Sequence, residues 1–344
     1  MLFYNFFCFL LNFGSFVFVS VLFLLSFDFL FFVVLCDFMS INFYEQISSN
    51  KKKTFLLFFI FFVLIGVLSF LVSFALGGAT IVGGLILVFF GIFTIIFALV
   101  SYYSCDSIVT FMSGAKEANK EHHKQLINIV EEMSIASGLP MPKVFVIDDT
   151  AINAFATGRD PEHSVICVTI GCLTRLNREQ LQGVIAHELS HIKNYDIRTM
   201  SIATVLVGVS VLLSDFFLRV AFSGFRGNSD SKNNSFGLVI LVLGVLLALL
   251  TPIIAKIIQF SISRNREFLA DASAVELTRN PEGLASALEV ISKDTEPLEA
   301  ANKATAHLYI SDPLKNTKGI WFAGMFDTHP PINERIATLR GQKI

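Results

Sequence analysis

Residues 181–193 read LQGVIAHELSHIK, and the rest of the chain is best understood outward from them. His187 and His191 stand four apart. On a helix that spacing puts both imidazoles on one face, with Glu188 projecting beside them. Neither Gly nor Pro interrupts residues 184–193, and a helix is expected from about Asn177-Arg178-Glu179 through His191. The flanking Val184, Ile185, Ala186 and Leu189 are apolar, so this helix should be buried. Two imidazoles and a carboxylate are costly to bury without a partner, and a metal ion is the partner the spacing fits. A chance match on an amphipathic surface helix is the plainer alternative, and the apolar flanks weigh against it.

A zinc ion held by two histidines needs a third protein ligand, which leaves a fourth position for water. Glu267, in Glu267-Phe268-Leu269-Ala270-Asp271, is the candidate. Asp271 lies four residues on and shares its helix face, where it could accept a hydrogen bond from the far ring nitrogen of a ligand imidazole. A pair of solvated acids is the alternative for these two.

Composition places this motif in an unusual setting. Of 344 residues, 53% are apolar and only 16% charged. Membrane segments are the usual cause of such a balance. A net charge of −2 and the lack of a dense basic patch exclude a nucleic-acid reading. The cysteines (Cys8, Cys36, Cys105, Cys167 and Cys172) form no CxxC pair and read as buried thiols. Residues 54–105 contain no ionisable group besides Tyr102, Tyr103 and Cys105, and Gly77-Gly78-Ala79-Thr80 divides them into two halves. Each half is long enough for the ~20 residues of one crossing. A second pair is expected over residues 197–222 and 237–260, separated by the polar segment 223–235. Asp215 and Arg219 near the end of the third span read as an interfacial pair. Lys51, Lys52, Lys53, Arg198, Arg264 and Arg266 flank the two hairpins on one side, against Arg226 and Lys232 on the other. The polar parts are therefore expected in the cytoplasm. Because both hairpins cross twice, Glu267 returns to the side of His187.

The expected organisation is a Phe-rich extension over residues 1–38, a basic lead over 39–53, a transmembrane hairpin over 54–103, a first catalytic part over 104–199, a second hairpin over 200–260 and a second catalytic part over 261–344. Thirteen of the first 38 residues are Phe, and no Lys or Arg precedes Lys51. This stretch is a poor secretory signal. It reads either as an extra span or as sequence upstream of a natural start at Met39; the second reading is preferred, since Met39 leads directly into a polar segment and the lysines. In the polar parts, residues 115–137 show helical spacing and end at Gly138-Leu139-Pro140. Residues 143–147, 154–158 and 164–171 read as strands, the last two joined at Arg159-Asp160-Pro161. A further helix is expected over 261–277.

Taken together, the chain resembles the HtpX-type membrane metalloproteases, relatives of the CAAX prenyl proteases and more distantly of thermolysin-like gluzincins. The resemblance rests on Asn153-Ala154-Phe155-Ala156-Thr157-Gly158, on His187–His191 with Asn194 and Asp196 following, on residues 263–271, and on Thr328-His329-Pro330-Pro331 with Arg335. It covers the chain from about Met39 onward. It implies an α+β fold: a multi-span helical membrane protein whose cytoplasmic, zincin-like metalloprotease domain is split by a transmembrane hairpin. It implies one zinc ion per chain, with Glu267 as third ligand and Asp271 behind it, and peptide hydrolysis with Glu188 as general base. Asn153 and Ala154 would lie on an edge strand that takes the substrate backbone by strand addition. His329 and Arg335 would lie near the zinc and help stabilise or orient the reacting carbonyl. The implied partners are misfolded membrane proteins or unfolded polypeptides, met at the cytoplasmic face of the cell's inner or plasma membrane, and the lipid bilayer itself. Two other readings stay open: a CAAX-type prenyl protease, which would bring more spans around a chamber, and a non-enzymatic membrane assembly protein with a structural metal site, which would not require Glu188.

Overall fold

Along Lys143–Ile147 the side chains of Val144 and Val146 face one way and those of Phe145 and Ile147 the other. This strand alternation organises everything packed around it. A computed structural model of the chain describes residues 81–227, 264–301, 305–311, 313 and 330–342, with scattered positions between 52 and 70. In chain order its main elements are α1 (Ile81–Tyr103), α2 (Cys105–Met112), β1 (Lys116–Glu117), α3 (Lys124–Ser137), β2 (Lys143–Ile147), β3 (Ala154–Gly158), β4 (Ser164–Thr169), α4 (Ile170–Arg175), α5 (Arg178–Lys193), α6 (Asp196–Gly227), α7 (Arg264–Thr278), α8 (Pro281–Lys293) and α9 (Ile332–Leu339). The fold is a mixed α+β one with a four-stranded sheet in the order β1-β2-β4-β3. β2 and β4 are parallel, and the two outer pairs are antiparallel.

Both faces of the sheet are covered. Ile166 and Val168 of β4 join Val144 and Val146 against α3, α5 and α8. Val165 and Cys167 point the other way, into a second cluster with Phe155, Val109 of α2, Met200, Ala203 and Leu206 of α6, and Tyr309. Every residue of β4 is buried, as befits a central strand covered on both sides.

Helix α5 starts where Asn177 and Gln180 exchange side-chain-to-backbone bonds, a reciprocal capping box. It lies unusually close to α8. A Cβ placed on Gly183 would fall 2.8 Å from the backbone nitrogen of Leu284, so glycine sets the spacing of these two helices. α5 ends at Asn194, and Tyr195 then takes a left-handed backbone (φ 58°) from which α6 departs.

Several boundaries differ from the sequence expectation. Residues 116–117 form β1 and the helix begins only at Lys124, because the Asn119 side chain accepts from Glu121 N and holds a turn between them. β4 stops at Thr169, whose hydroxyl accepts from Cys172 N and starts α4. α6 continues through residues 223–227, five residues into the expected polar loop. The proposed turn at residues 77–80, the fourth span and the N-terminal extension lie outside the described residues. Among the described residues no single helix passes as a membrane crossing by length and hydropathy, while Leu87–Tyr103 and Cys105–Met112 do so together across a 78° bend. α1 nonetheless exposes Ile81, Leu85, Val88, Phe89, Ile92, Phe93 and Ile96.

Gly183→Ala should force α5 and α8 apart at a backbone contact. The expected cost is about 1–3 kcal/mol, read as a lower melting temperature of the detergent-solubilised protein. An unchanged melt would contradict the close approach.

Candidate metal centre and active site

Two helices distant in sequence converge on one point. α5 supplies His187 and His191, and α7 supplies Glu267; one donor atom from each lies within 4.8 Å of the others, and all three residues are buried. His187 Nε2 and His191 Nε2 are 3.2 Å apart. Glu267 places Oε2 3.7 Å from His187 Nε2 and Oε1 3.5 Å from His191 Nε2. Donors around a tetrahedral zinc at ~2.0–2.1 Å are separated by about 3.3 Å, so the three separations suit such an ion.

The outer ring nitrogens decide what the inner ones can offer. His187 Nδ1 lies 3.0 Å from Asp271 Oδ1, and His191 Nδ1 lies 3.1 Å from Asp196 Oδ2. Each carboxylate requires an N–H, so each neutral imidazole turns its Nε2 lone pair inward. Two lone pairs facing each other beside a carboxylate call for a cation. The charge balance of the surroundings agrees. Among the described residues, Glu188, Glu267, Asp196 and Asp271 are buried together with Arg266 and Arg335; counted as ionised, these four acids exceed these two guanidiniums by two negative charges. A divalent ion cancels that excess.

Without an ion, protons take its place. Burial works against charging His187, but hydrogen bonds to Asp271 and Glu267 outweigh it and lift its pKa to about 9. His191 is raised for the same kind of reason, burial being overcome by Asp196 and Glu267. Asp271 moves the other way: burial is outweighed by the Arg335 charge and the His187 bond, which hold it at about 2.

Comparison with known proteins places this arrangement. The profile described as "Peptidase family M48" matches residues 120–343. The chain belongs to peptidase family M48. A "Protease HtpX homolog" of Dictyoglomus turgidum is 47% identical over 301 residues, covering 87% of this chain and 94% of that one. Another, of Limosilactobacillus reuteri, is 42% identical over 298 residues, covering 86% and 99%. Among solved structures, that of S. mikatae Ste24p is 18% identical, with a TM-score of 0.44 over 78% of this chain and 61% of the other.

Within this M48 peptidase the remaining expected residues are distributed as follows. Glu188 is buried on α5 directly after His187. Arg335, on α9, is buried behind the ligands. It forks Asp271 through Nε (2.8 Å) and NH2 (2.6 Å), and NH1 lies 3.5 Å from Glu267 Oε2. His329 lies outside the described residues. Ala154 opens β3, one of the two outer strands of the sheet, and Asn153 immediately precedes it. There the chain itself meets them: Ile310 N donates to the Ala154 carbonyl (3.0 Å), and the Asn153 side chain bonds both the carbonyl and the amide of Ser311. Arg335 NH1 donates in turn to the Ile310 carbonyl at 3.3 Å.

Two charged residues beside the ligands escaped sequence reasoning. Asp196 was only part of a matching stretch, yet it bonds His191. Arg266, counted as a membrane-flanking cation, is buried with NH1 2.9 Å from Asp196 Oδ1. Its position immediately before a metal-ligand candidate was the available signal.

Protons and metal should compete at His187. Below pH 9 loading must displace its proton, so metal affinity should rise at least about tenfold per pH unit from 6.5 upward and level off above 9. The metal-free fold should behave oppositely, since the raised pKa contributes stability that is complete below pH 6.5 and lost as pH rises through about 9. Chelator competition and melting curves across this range test both slopes; a pH-independent affinity would contradict the assignment.

Proposed function

We propose that the chain is an integral membrane zinc metalloendopeptidase that cleaves unfolded or misfolded membrane proteins at the cytoplasmic face. The observation that carries this reading is the meeting of His187, His191 and Glu267 around one point, with Glu188 on the adjoining helix position. The donor set of two imidazoles and one carboxylate is a catalytic rather than a structural zinc set, since it leaves a position open.

When bound, zinc supplies a Lewis acid that polarises the scissile carbonyl and acidifies a water. Glu188 is the general base: it takes the water's proton and passes it to the departing amine. Asp271 and Asp196 hold the imidazoles in the tautomer that keeps Nε2 available. Arg335 neutralises Asp271 and Glu267 from behind, and His329 is assigned to the developing oxyanion. The substrate backbone adds to the outer edge of β3. Thr169 donates to the Asn153 carbonyl, so Ala154 and, two residues on, Ala156 turn their backbone groups to that edge. With Ala154 engaged by Ile310, pairing with substrate runs toward Ala156.

The membrane part is supported by the apolar surface of α1 and by the composition of residues 54–105 and 197–260. Flanking lysines and arginines support a cytoplasmic site. A role in quality control follows from the resemblance to HtpX-type proteases.

Glu188→Gln should keep one zinc per chain in elemental analysis while casein-like cleavage falls by about 100-fold or more. Cleavage at the wild-type rate by that variant would remove Glu188 from the reaction.

A further inference from the structure

We propose that the corner between α5 and α6 is a positioning device for His191, in which the left-handed backbone of Tyr195 turns Asp196 back onto the imidazole and Arg266 fixes the far oxygen of that carboxylate. The inference rests on the reading of this site as a metal centre.

Helix geometry shows why a device is needed. Had α5 continued regularly, residue 196 would lie five positions beyond His191, about 140° around the axis and ~7.5 Å along it. A carboxylate there would point away from the ring. The chain instead breaks at Tyr195, whose φ of 58° is a conformation that non-glycine residues rarely adopt. After that single residue, Asp196 Oδ2 stands 3.1 Å from His191 Nδ1. A tyrosine rather than a glycine occupies the strained position, and its ring has a grip of its own: the Arg198 guanidinium lies over it, 5.0 Å from the ring centre.

The second oxygen of Asp196 is held from the opposite half of the site. Arg266 NH1 reaches Oδ1 at 2.9 Å, with both groups buried. Arg266 immediately precedes Glu267, so one turn of α7 contributes both a metal ligand and the anchor of the carboxylate behind another ligand. His187 has the same kind of support in Asp271 and Arg335. Each imidazole is thus backed by a buried carboxylate and then a buried guanidinium. The two chains of contacts share α7 and no side chain. A carboxylate so held cannot turn from the ring, which fixes His191 with Nε2 inward before any ion arrives.

The test uses the full chain in detergent, with zinc affinity measured by chelator competition and the ligand field read from the cobalt(II) absorption spectrum. Wild-type protein should bind one ion; if it binds none, the metal-centre reading fails and this inference with it. Given wild-type binding, Asp196→Asn should weaken zinc about 10–100-fold and alter the cobalt spectrum. Arg266→Met should weaken it in the same direction, and the double variant should be no worse than Asp196→Asn alone, because Arg266 acts through Asp196. Should Asp196→Asn not fold, the Arg266→Met affinity and spectrum carry the test. Zinc affinity within twofold of wild type in the folded variants, with only the melting temperature lowered, would overturn the proposal and leave the metal centre standing. Additive losses in the double variant would likewise remove the link from Arg266 through Asp196.

Discussion

Two imidazole lone pairs held 3.2 Å apart beside a carboxylate, in the interior of a protein, cannot be a resting arrangement of neutral groups. Something positive has to sit among them, and the surrounding helices are arranged around that requirement. α5 and α7 bring the donors together, and α9 and the start of α6 bring the groups that orient and neutralise them. The close fit of α5 to α8 at Gly183 and its burial against the sheet give the site a backing that does not yield. The surplus of buried negative charge means that the site binds either protons or a metal and exchanges one for the other.

The sheet contributes in a different way. β4 is a covered central strand, whereas β3 presents one edge outward, and the chain has already used part of that edge. The bonds from residues 310 and 311 to Asn153 and Ala154 continue through Arg335 to Asp271 and so to His187. The outer strand and the candidate metal ligand His187 are therefore parts of one hydrogen-bonded assembly. A disturbance at Ala154 has a short route to the ligand geometry.

Much of this was legible in the sequence, for identifiable reasons. His187, Glu188 and His191 announce themselves because a helical repeat forces their relation, and the strand at residues 143–147 does so through its alternation. Glu267 could be nominated because its helix carries a second carboxylate at the right spacing. What stayed hidden depends on chain reversals. The left-handed turn at Tyr195 is invisible in a residue type that seldom adopts it, so Asp196 gave no sign of facing back. Arg266 reads in the sequence as a cation beside an apolar stretch, which gives no sign of its buried pairing with Asp196. The bond of Arg335 to Asp271 depends on α9 packing over a segment far away in sequence. The start of α3 was called too early because an Asx turn interrupts a stretch whose apolar spacing is otherwise helical.

α6 is 32 residues long and has Asp196 as its first residue. At 1.5 Å per residue such a rod is ~48 Å long, with His191 beside its near end. Tilting the rod about its near end sweeps the far tip widely and leaves the carboxylate almost where it was. Rolling it about its own axis carries the carboxylate off the ring at once. The geometry leaves the position of Asp196 insensitive to a lean of this helix and sensitive to its roll.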